Sequence, residues 1–227
     1  MADVVPASAP VHSSADAYEQ LRREIVSGRL QPNERLVEAD LTRALGVTRT
    51  AVRAALQRLA HEGLVEHERN RGAKVRFVSE QEAVEILEAR SVLEGLIARK
   101  AAENARPEDL ARLRALTGTM RELLATGDLL TMSEANTRLH EILLELAGHR
   151  TVERLVSTLN SQLVRFQYRT ILVLGRPEQS LAEHTAIVEA VAAGDPEAAE
   201  AAMRRHLSKL TEALRAAAAL DGRPFAR

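Results

Sequence analysis

Residues 48–63, TRTAVRAALQRLAHEG, have the periodicity of a helix with two unlike faces. One face is an apolar stripe at helical spacing, formed by Val52, Ala55, Leu56 and Leu59. The other face is polar and positively charged, and it carries Arg49, Arg53, Gln57 and Arg58. Thr48 stands where a helix N-cap is expected. The stretch therefore predicts a surface helix that buries one side and presents arginines on the other.

The segments on either side of this helix predict a helix-turn-helix unit followed by a basic hairpin. Residues 41–47 (LTRALGV) indicate the end of a shorter helix and a tight turn that contains Gly46. Residues 64–68 and 73–77 have strand character, and the basic tip RNRG at residues 69–72 separates them. This order indicates a winged helix, whose second helix enters the major groove while the wing reaches the minor groove or phosphates. An ordinary helical hairpin with a solvated charged face is the alternative.

Residues 32–75 resemble the N-terminal domain of GntR-type bacterial transcription regulators, most specifically in GVTRTAVRAAL and the following RLAHEGLV. The resemblance extends into the C-terminal part and covers roughly residues 16–220. Regulators of this type bind double-stranded DNA operators as homodimers on palindromic sites, so both partners are implied here. The DNA contacts expected from the recognition helix and the wing are at Thr48, Arg49, Thr50, Arg53, Arg69, Asn70 and Gly72. Ala54 departs from the usual pattern, which carries a glutamate there.

Composition limits the remaining function classes. The chain of 227 residues is 45% hydrophobic but only 2% aromatic, which favours helices packed through aliphatic side chains. It contains no cysteine, so disulfides, thiolate metal sites and thiol nucleophiles are excluded. We find no apolar run near the ~20 residues that cross a bilayer, and no signal peptide at the N-terminus. We therefore expect a cytoplasmic protein without membrane contact.

Charge is distributed unevenly along a chain whose formal net charge is −1. Residues 16–78 hold 12 Lys and Arg against 9 Asp and Glu, whereas residues 79–227 hold 19 against 22. A basic module on an acidic body is expected when only one end meets DNA. We predict a disordered tail over residues 1–15 and a winged helix-turn-helix DNA-binding domain over 16–78. An all-helical effector-binding and dimerisation domain is predicted over 79–227.

The predicted fold class is mainly α, with the winged helix followed by an antiparallel helical bundle. In the N-terminal domain, further helices are expected from about residue 16 to Gly28 and over residues 36–45. The bundle is predicted to contain six helices, over about residues 79–104, 107–127, 130–147, 152–172, 181–193 and 196–220. A bundle of this kind has space for a ligand between its helices.

Three of the seven histidines fall on the apolar faces of three different predicted helices. His140 lies one turn after Asn136, so the two side chains project together. His184 lies on an inward face, and His206 shares an apolar face with Met203. A buried imidazole must be hydrogen-bonded, paired with a charge or bound to a metal. A single such histidine is more often structural, but three that converge favour a metal.

The C-terminal half is similar to the all-helical ligand-binding domain, the FCD type, of the FadR branch of GntR regulators. Metal-containing members use an Asp-x-x-x-His pair and two later histidines, and NTRLH, EHTAI and MRRHL match these places. The resemblance implies a divalent transition metal ion bound by Asn136, His140, His184 and His206. This nitrogen-rich set suits Zn²⁺ or Ni²⁺. Asn136 replaces the commoner aspartate by a neutral and weaker ligand.

Arg90 is the predicted effector-binding residue. Ile86, Leu93 and Ile97 lie at helical spacing around it, so its guanidinium is expected to point towards the bundle interior. It is either one half of an intramolecular pair with Glu94 or a bidentate clamp for the carboxylate of an effector. Similar regulators sense small organic acids. With a metal nearby, such an acid would be chelated at one end and held by Arg90 at the other.

The sequence thus favours a ligand-responsive regulator that binds a palindromic operator as a dimer and represses transcription. Two alternatives stay open: a metal-dependent helical hydrolase with the winged helix as a docking module, and a metal-free bundle used only for dimerisation. Against the hydrolase, no Ser-His-Asp arrangement follows from the spacing, and Glu141 next to His140 points to a different helix face. We therefore predict that the protein is not an enzyme.

Overall fold

The computed structural model describes residues 13–68, 72–171 and 173–220, and the chain divides into two compact units between Phe77 and Val78. Over these residues the chain is mainly helical with one small sheet, which confirms the predicted fold class. Among the helices described, none combines the length and the apolarity that a bilayer span requires. Of the predicted tail, residues 1–12 lie outside the described part, whereas Ser14 and Ala15 are already helical.

The N-terminal unit is a winged helix-turn-helix. Its elements are α1 (Ser14–Val26), β1 (Arg35–Leu36), α2 (Glu38–Leu45), α3 (Arg49–His61), β2 (Val65–Glu68) and β3 (Gly72–Val75). The sheet is antiparallel, with β3 between β1 and β2. Gly46 ends α2 with φ +67°, a left-handed conformation that glycine adopts without strain, and this sets the turn into α3. The predicted apolar stripe of α3 is buried and packs on α1.

The start of α2 differs from the prediction. Leu36 was expected to open this helix, but it lies in β1, where it pairs with Ala73 and is buried. Asn33, the one non-glycine with positive φ among the described residues, turns the chain into this strand, and its N–H donates to the Val75 carbonyl at 2.9 Å. The pairing partner is 37 residues away in sequence, so local periodicity does not reveal it.

The C-terminal unit is a bundle of six helices in the described part of the chain, as predicted. They are α4 (Glu80–Asn104), α5 (Pro107–Thr126), α6 (Leu129–Ala147), α7 (Arg150–Ile171), α8 (Arg176–Ala192) and α9 (Pro196–Leu220). Ser79 caps α4 by accepting a hydrogen bond from the Glu82 N–H at 3.1 Å. α4 is the central helix, because it packs on α6, α7, α8 and α9. Burial on several sides explains why even charged residues of α4 lie inside.

The start of α8 also differs from the prediction. This helix begins at Arg176, five residues before the expected Leu181. Pro177 lies in its first turn, where the missing N–H has no intrahelical partner to lose. The Gly-Arg-Pro segment was expected to end the preceding helix, but α7 already ends at Ile171, and the segment instead starts α8. The earlier start places Arg176 and Ser180 on the same helix as His184.

Candidate metal centre and nucleic-acid interface

Exposed arginines form the outer face of α3. The side chains of Arg49 and Arg53 are 73% and 66% exposed, and Thr50 is exposed between them. Both arginines contact Glu38 in the first turn of α2: Arg49 Nε donates a hydrogen bond at 3.0 Å, and Arg53 Nε forms an ion pair at 3.6 Å. Exposed ion pairs of this kind contribute only about 0–1 kcal/mol. Glu38 therefore holds the two arginines side by side, and they can exchange this partner for phosphates or bases at little cost in free energy.

Thr48 and Gly72 flank this face. The Thr48 hydroxyl accepts a hydrogen bond from the Ala51 N–H at 3.2 Å, so it is the N-cap of α3. Gly72 begins β3 with φ +86°, a conformation that favours glycine. The other two predicted wing residues, Arg69 and Asn70, lie outside the described residues. The assignment of Thr48, Arg49, Thr50, Arg53 and Gly72 to DNA contacts stays a prediction.

The C-terminal unit brings the three predicted histidines together from α6, α8 and α9. His184 and His206 are buried and His140 is partly buried. One ring nitrogen from each lies within 4.8 Å of the others. The Nε2 atoms of His140 and His184 are 3.2 Å apart. That separation is close to the roughly 3.3 Å expected between two nitrogens bound tetrahedrally to one Zn²⁺.

Each of these histidines uses its Nδ1 for a hydrogen bond within the protein. His140 donates to Glu94 Oε2 at 2.8 Å, and His206 donates to Glu183 Oε2 at 2.8 Å. His184 donates to the carbonyl of Ser180 at 2.6 Å. A carbonyl oxygen can only accept a hydrogen bond, so His184 donates to Ser180 from Nδ1. Glu94 is ionised, and the bonded oxygen of Glu183 also accepts from Arg176 Nη2, so both carboxylates act as acceptors. The ring protons of all three histidines therefore lie on Nδ1. The Nε2 atoms are left with lone pairs, which is the arrangement of histidine ligands to metals.

The electrostatics of the site favour a cation between the rings. Burial lowers the pKa of His184 and His206 well below that of a free imidazole, and the neighbouring imidazoles lower both further. These rings are therefore neutral near pH 7, as metal ligands must be. The 3.2 Å separation of these two Nε2 atoms requires a positive charge between them, either a proton shared as a hydrogen bond or a metal ion bound to both. The three histidines could therefore hold a divalent ion.

Asn136 supplies the fourth predicted ligand position. It lies one turn before His140 on α6, and its Oδ1 is buried with no hydrogen-bond partner in the described part of the protein. A buried carbonyl oxygen without a partner costs about 1–3 kcal/mol. Coordination of an ion would satisfy it, so the donor chemistry of the site fits three nitrogens and one neutral oxygen.

Arg90 is buried and pairs with Glu94, the intramolecular alternative left open by the sequence. Its Nε donates to Glu94 Oε1 at 2.7 Å, while the other carboxylate oxygen binds His140. Burial alone raises the pKa of Glu94, but Arg90 and then His140 outweigh burial and hold this pKa well below its usual range. The same arginine also lines a small cavity with residues from α4, α7 and α9, namely Leu87, Leu163, Phe166, Thr170, Leu210 and Leu214.

Sequence reasoning missed the residues that orient the histidines. Ser180 lies four residues before His184, a spacing that could have indicated a contact on one helix face. Glu94 was considered only as a partner of Arg90, and its second contact is with a residue 46 positions away. Glu183 binds His206 across two helices. No local pattern in the sequence signals the last two contacts.

Two family models match the chain. Residues 13–75 match the bacterial regulatory proteins of the gntR family, and residues 85–209 match the FCD domain. The second match alone spans more than half of the chain. The first match includes the helix-turn-helix and the wing, and the second includes all three histidines.

The similar proteins are transcription regulators. The chain is 33% identical over 189 residues to the "Probable D-xylose utilization operon transcriptional repressor" of Paenarthrobacter nicotinovorans, covering 82% of this chain and 81% of that protein. It is 27% identical over 198 residues to the HTH-type transcriptional repressor RspR of Escherichia coli strain K12, covering 87% of each. E. coli McbR/YncC shares the fold, with a TM-score of 0.73 at 20% identity over 89% of this chain and 97% of that one.

These findings decide between the classes of function left open by the sequence. The relatives are regulators rather than enzymes, which confirms the predicted transcription regulator and leaves the hydrolase alternative without support. The chain belongs to the GntR family of bacterial transcription regulators, with an N-terminal helix-turn-helix domain and a C-terminal FCD domain.

Proposed function

We propose that this protein is a repressor of the FadR branch that binds a palindromic operator as a homodimer and responds to a small organic acid. The acid would bind at a metal ion in the C-terminal bundle. Its binding would shift the equilibrium between two placements of the paired DNA-binding domains, and so change operator affinity. As a regulator of bacterial DNA, the protein would act in the cytoplasm.

The proposed reading surface is the N-terminal half of α3 with the wing. Arg49 and Arg53 would bind base edges in the major groove, where arginine to guanine is the commonest specific contact. Thr48 and Thr50 would reach phosphates, and the wing residues Arg69, Asn70 and Gly72 would follow the adjacent backbone. Both arginines are exposed, and within the described residues their ion-pair partner is Glu38, which supports this assignment.

The proposed metal ligands are Asn136, His140, His184 and His206, with Zn²⁺ or Ni²⁺ as the ion. The observation that carries this proposal is that the Nδ1 of each histidine already has a partner within the protein, while one ring nitrogen from each lies within 4.8 Å of the others. When bound, the ion would supply a Lewis-acid centre for an anionic ligand. The protein would contribute the orientation of the rings and a site largely shielded from water.

The proposed effector lies against Arg90. The cavity that this arginine lines is small and mostly apolar, so it suits a small ligand. Only Nε of Arg90 is needed for the bond to Glu94, so the guanidinium still has donors for a carboxylate. An acid bound there would lie near the ion, because Glu94 joins Arg90 to His140.

Metal binding is tested with protein purified without an affinity tag. We expect about one divalent ion per chain in the wild type, measured by elemental analysis, and loss of that ion in His184→Ala. The matched control is His61→Ala, which removes an exposed histidine of α3 and should keep the ion. A tag-free protein that takes up neither zinc nor nickel would support the metal-free dimerisation bundle instead.

DNA binding is tested by selecting duplexes from a random pool and measuring affinity at fixed salt. Arg53→Ala should weaken binding to the selected site by about 1–3 kcal/mol, the usual value of one specific arginine contact. Arg114→Ala removes a comparably exposed arginine from the C-terminal unit and should leave affinity unchanged. Equal loss in both variants would contradict the proposed reading surface.

The effector assignment is tested by screening small organic acids against the metal-loaded protein. The acid that releases the selected duplex should bind Arg90→Ala more weakly than the wild type, because bidentate bonding is lost. Unchanged affinity in this variant would remove Arg90 from the effector site while leaving the metal and the DNA surface in place.

A further inference from the structure

A second buried arginine lies at the start of α8. Arg176 is the first residue of this helix and only 5% of its surface is exposed. A charged side chain this deeply buried is rare unless it is paired. Neither the sequence pattern nor the proposed function assigns it a role, so its contacts need an explanation.

Arg176 reaches the metal centre through one shared acceptor. Its Nη2 lies 2.9 Å from Glu183 Oε2, and the same oxygen accepts the Nδ1–H of His206 at 2.8 Å. The order arginine, carboxylate, histidine repeats the arrangement of Arg90, Glu94 and His140 on a different pair of helices. The centre therefore has a buried guanidinium next to each of two histidines.

The two arginines differ in how far the protein satisfies them. In the described part of the chain, Nη1 of Arg176 has no hydrogen-bond partner and no access to solvent. Leaving a buried charged donor without an acceptor is more costly than leaving a neutral one. A buried guanidinium retained with an open donor is the arrangement expected where an acceptor arrives with a ligand.

The local charge balance indicates that this acceptor is an anion. Glu183 uses one oxygen for both Arg176 and His206, whereas Glu94 gives a separate oxygen to each of its two partners. Arg176 therefore shares its acidic partner atom with a histidine. A divalent ion on the histidines would add two further positive charges. The centre then favours a ligand with more than one negative charge.

We propose that Nη1 of Arg176 binds an anionic oxygen of the effector, at a subsite beside His206 that is separate from the Arg90 cavity. The proposal rests on the effector site described above and narrows its ligand to a dicarboxylate, with one acidic group for each arginine. A single carboxylate could satisfy only one of the two guanidinium groups. Arg176 is thus the residue that selects dianions over monoanions.

The test is calorimetric titration of the zinc-loaded protein with acetate, succinate and inorganic phosphate. Wild type should bind succinate more tightly than acetate. Arg176→Gln should lose about 10- to 100-fold in succinate affinity, the range for one hydrogen bond to a charged group. Its acetate affinity should fall less than its succinate affinity, and both are compared with wild type at equal zinc loading. Arg114→Gln, which changes an exposed arginine, is the matched control and should behave as wild type.

The outcomes separate this subsite from the proposed function. If Arg176→Gln keeps the full preference for succinate while zinc still binds, the subsite is wrong and the metal site stands. If wild type binds no zinc, the same titrations on the metal-free protein still decide whether the binding of succinate depends on Arg176. If wild type binds phosphate more tightly than succinate, and Arg176→Gln loses the phosphate binding, the anion subsite stands. The assignment of a dicarboxylate as its ligand is then wrong. Arg176→Lys guards against misfolding, because it keeps the charge and should bind succinate with intermediate affinity. No binding of any of the three anions by wild type would overturn the subsite.

Discussion

Replacing Glu94 by glutamine is the most informative single change in this protein. The carboxylate uses both oxygens, Oε1 for Arg90 Nε at 2.7 Å and Oε2 for His140 Nδ1 at 2.8 Å. A glutamine side chain has the same shape but offers only one acceptor oxygen. One of the two buried donors would therefore face an NH₂ group, and Arg90 would lose its negative partner.

The expected losses follow from the burial of this pair. The side chains of Arg90 and Glu94 are 7% and 3% exposed, and leaving one charge of such a pair uncompensated costs about 3–5 kcal/mol of stability. Removing the acceptor that orients a histidine ligand lowers metal affinity by about 10- to 100-fold, or roughly 1.4–2.7 kcal/mol. Both losses should appear in Glu94→Gln.

The loss of stability is measured by urea unfolding of the metal-free protein, with all variants at the same protein concentration. The loss of metal affinity is measured by competition with a chromophoric chelator for zinc. The control is Glu189→Gln. Glu189 accepts two bonds from Arg114 at 3.2 and 3.3 Å, but both side chains are more than half exposed. Because water screens such a pair, the control should lose no more than about 1 kcal/mol. Equal behaviour of the two variants would refute the reasoning.

A double variant separates the two roles of the carboxylate. Arg90→Met combined with Glu94→Leu replaces the buried ion pair by apolar side chains of similar size, a change that is often neutral for stability. We expect this variant to recover most of the stability lost in Glu94→Gln. Its zinc affinity should remain low, because His140 still lacks an acceptor for its Nδ1–H. Recovery of both properties would show that Glu94 acts on the metal only through the fold.

Three further predictions address single residues. Gly46→Ala should destabilise the protein by about 1–2 kcal/mol in thermal unfolding, because φ is +67° there and left-handed backbone disfavours a Cβ. Burial and the bond to Glu62 raise the pKa of Tyr18 to about 12. The stability that this shift contributes is therefore present below the usual tyrosine pKa of about 10 and is lost as the pH rises towards 12. Tyr18→Phe should flatten that alkaline part of the stability curve. Asn136→Asp should tighten zinc binding at least about fivefold, since an added unit charge gains roughly 1 kcal/mol or more next to a cation; unchanged affinity would remove Asn136 from the ligands.

Local signals account for the parts of the fold that could be predicted. The faces of α3, the cap of α4 at Ser79 and the six bundle helices depend on residues within one or two turns of each other. Two helix starts were predicted wrongly, one because of a distant contact and the other because of a local tolerance for proline. Leu36 became a strand residue because β3 pairs with it, and α8 began early because the first turn tolerates Pro177.

The sequence by itself determined that this protein joins a helix-turn-helix domain to a helical domain with three inward histidines. Helical periodicity, caps and turn glycines are properties of neighbouring residues, so they can be read along the chain. Only the tertiary structure decided which partner each histidine has at Nδ1 and which arginine, in the described part of the chain, keeps a buried donor without one. Those features depend on Glu94 with His140 and on Glu183 with His206, pairs separated by 46 and 23 residues. Packing of the helices creates these contacts, and no spacing in the sequence encodes them.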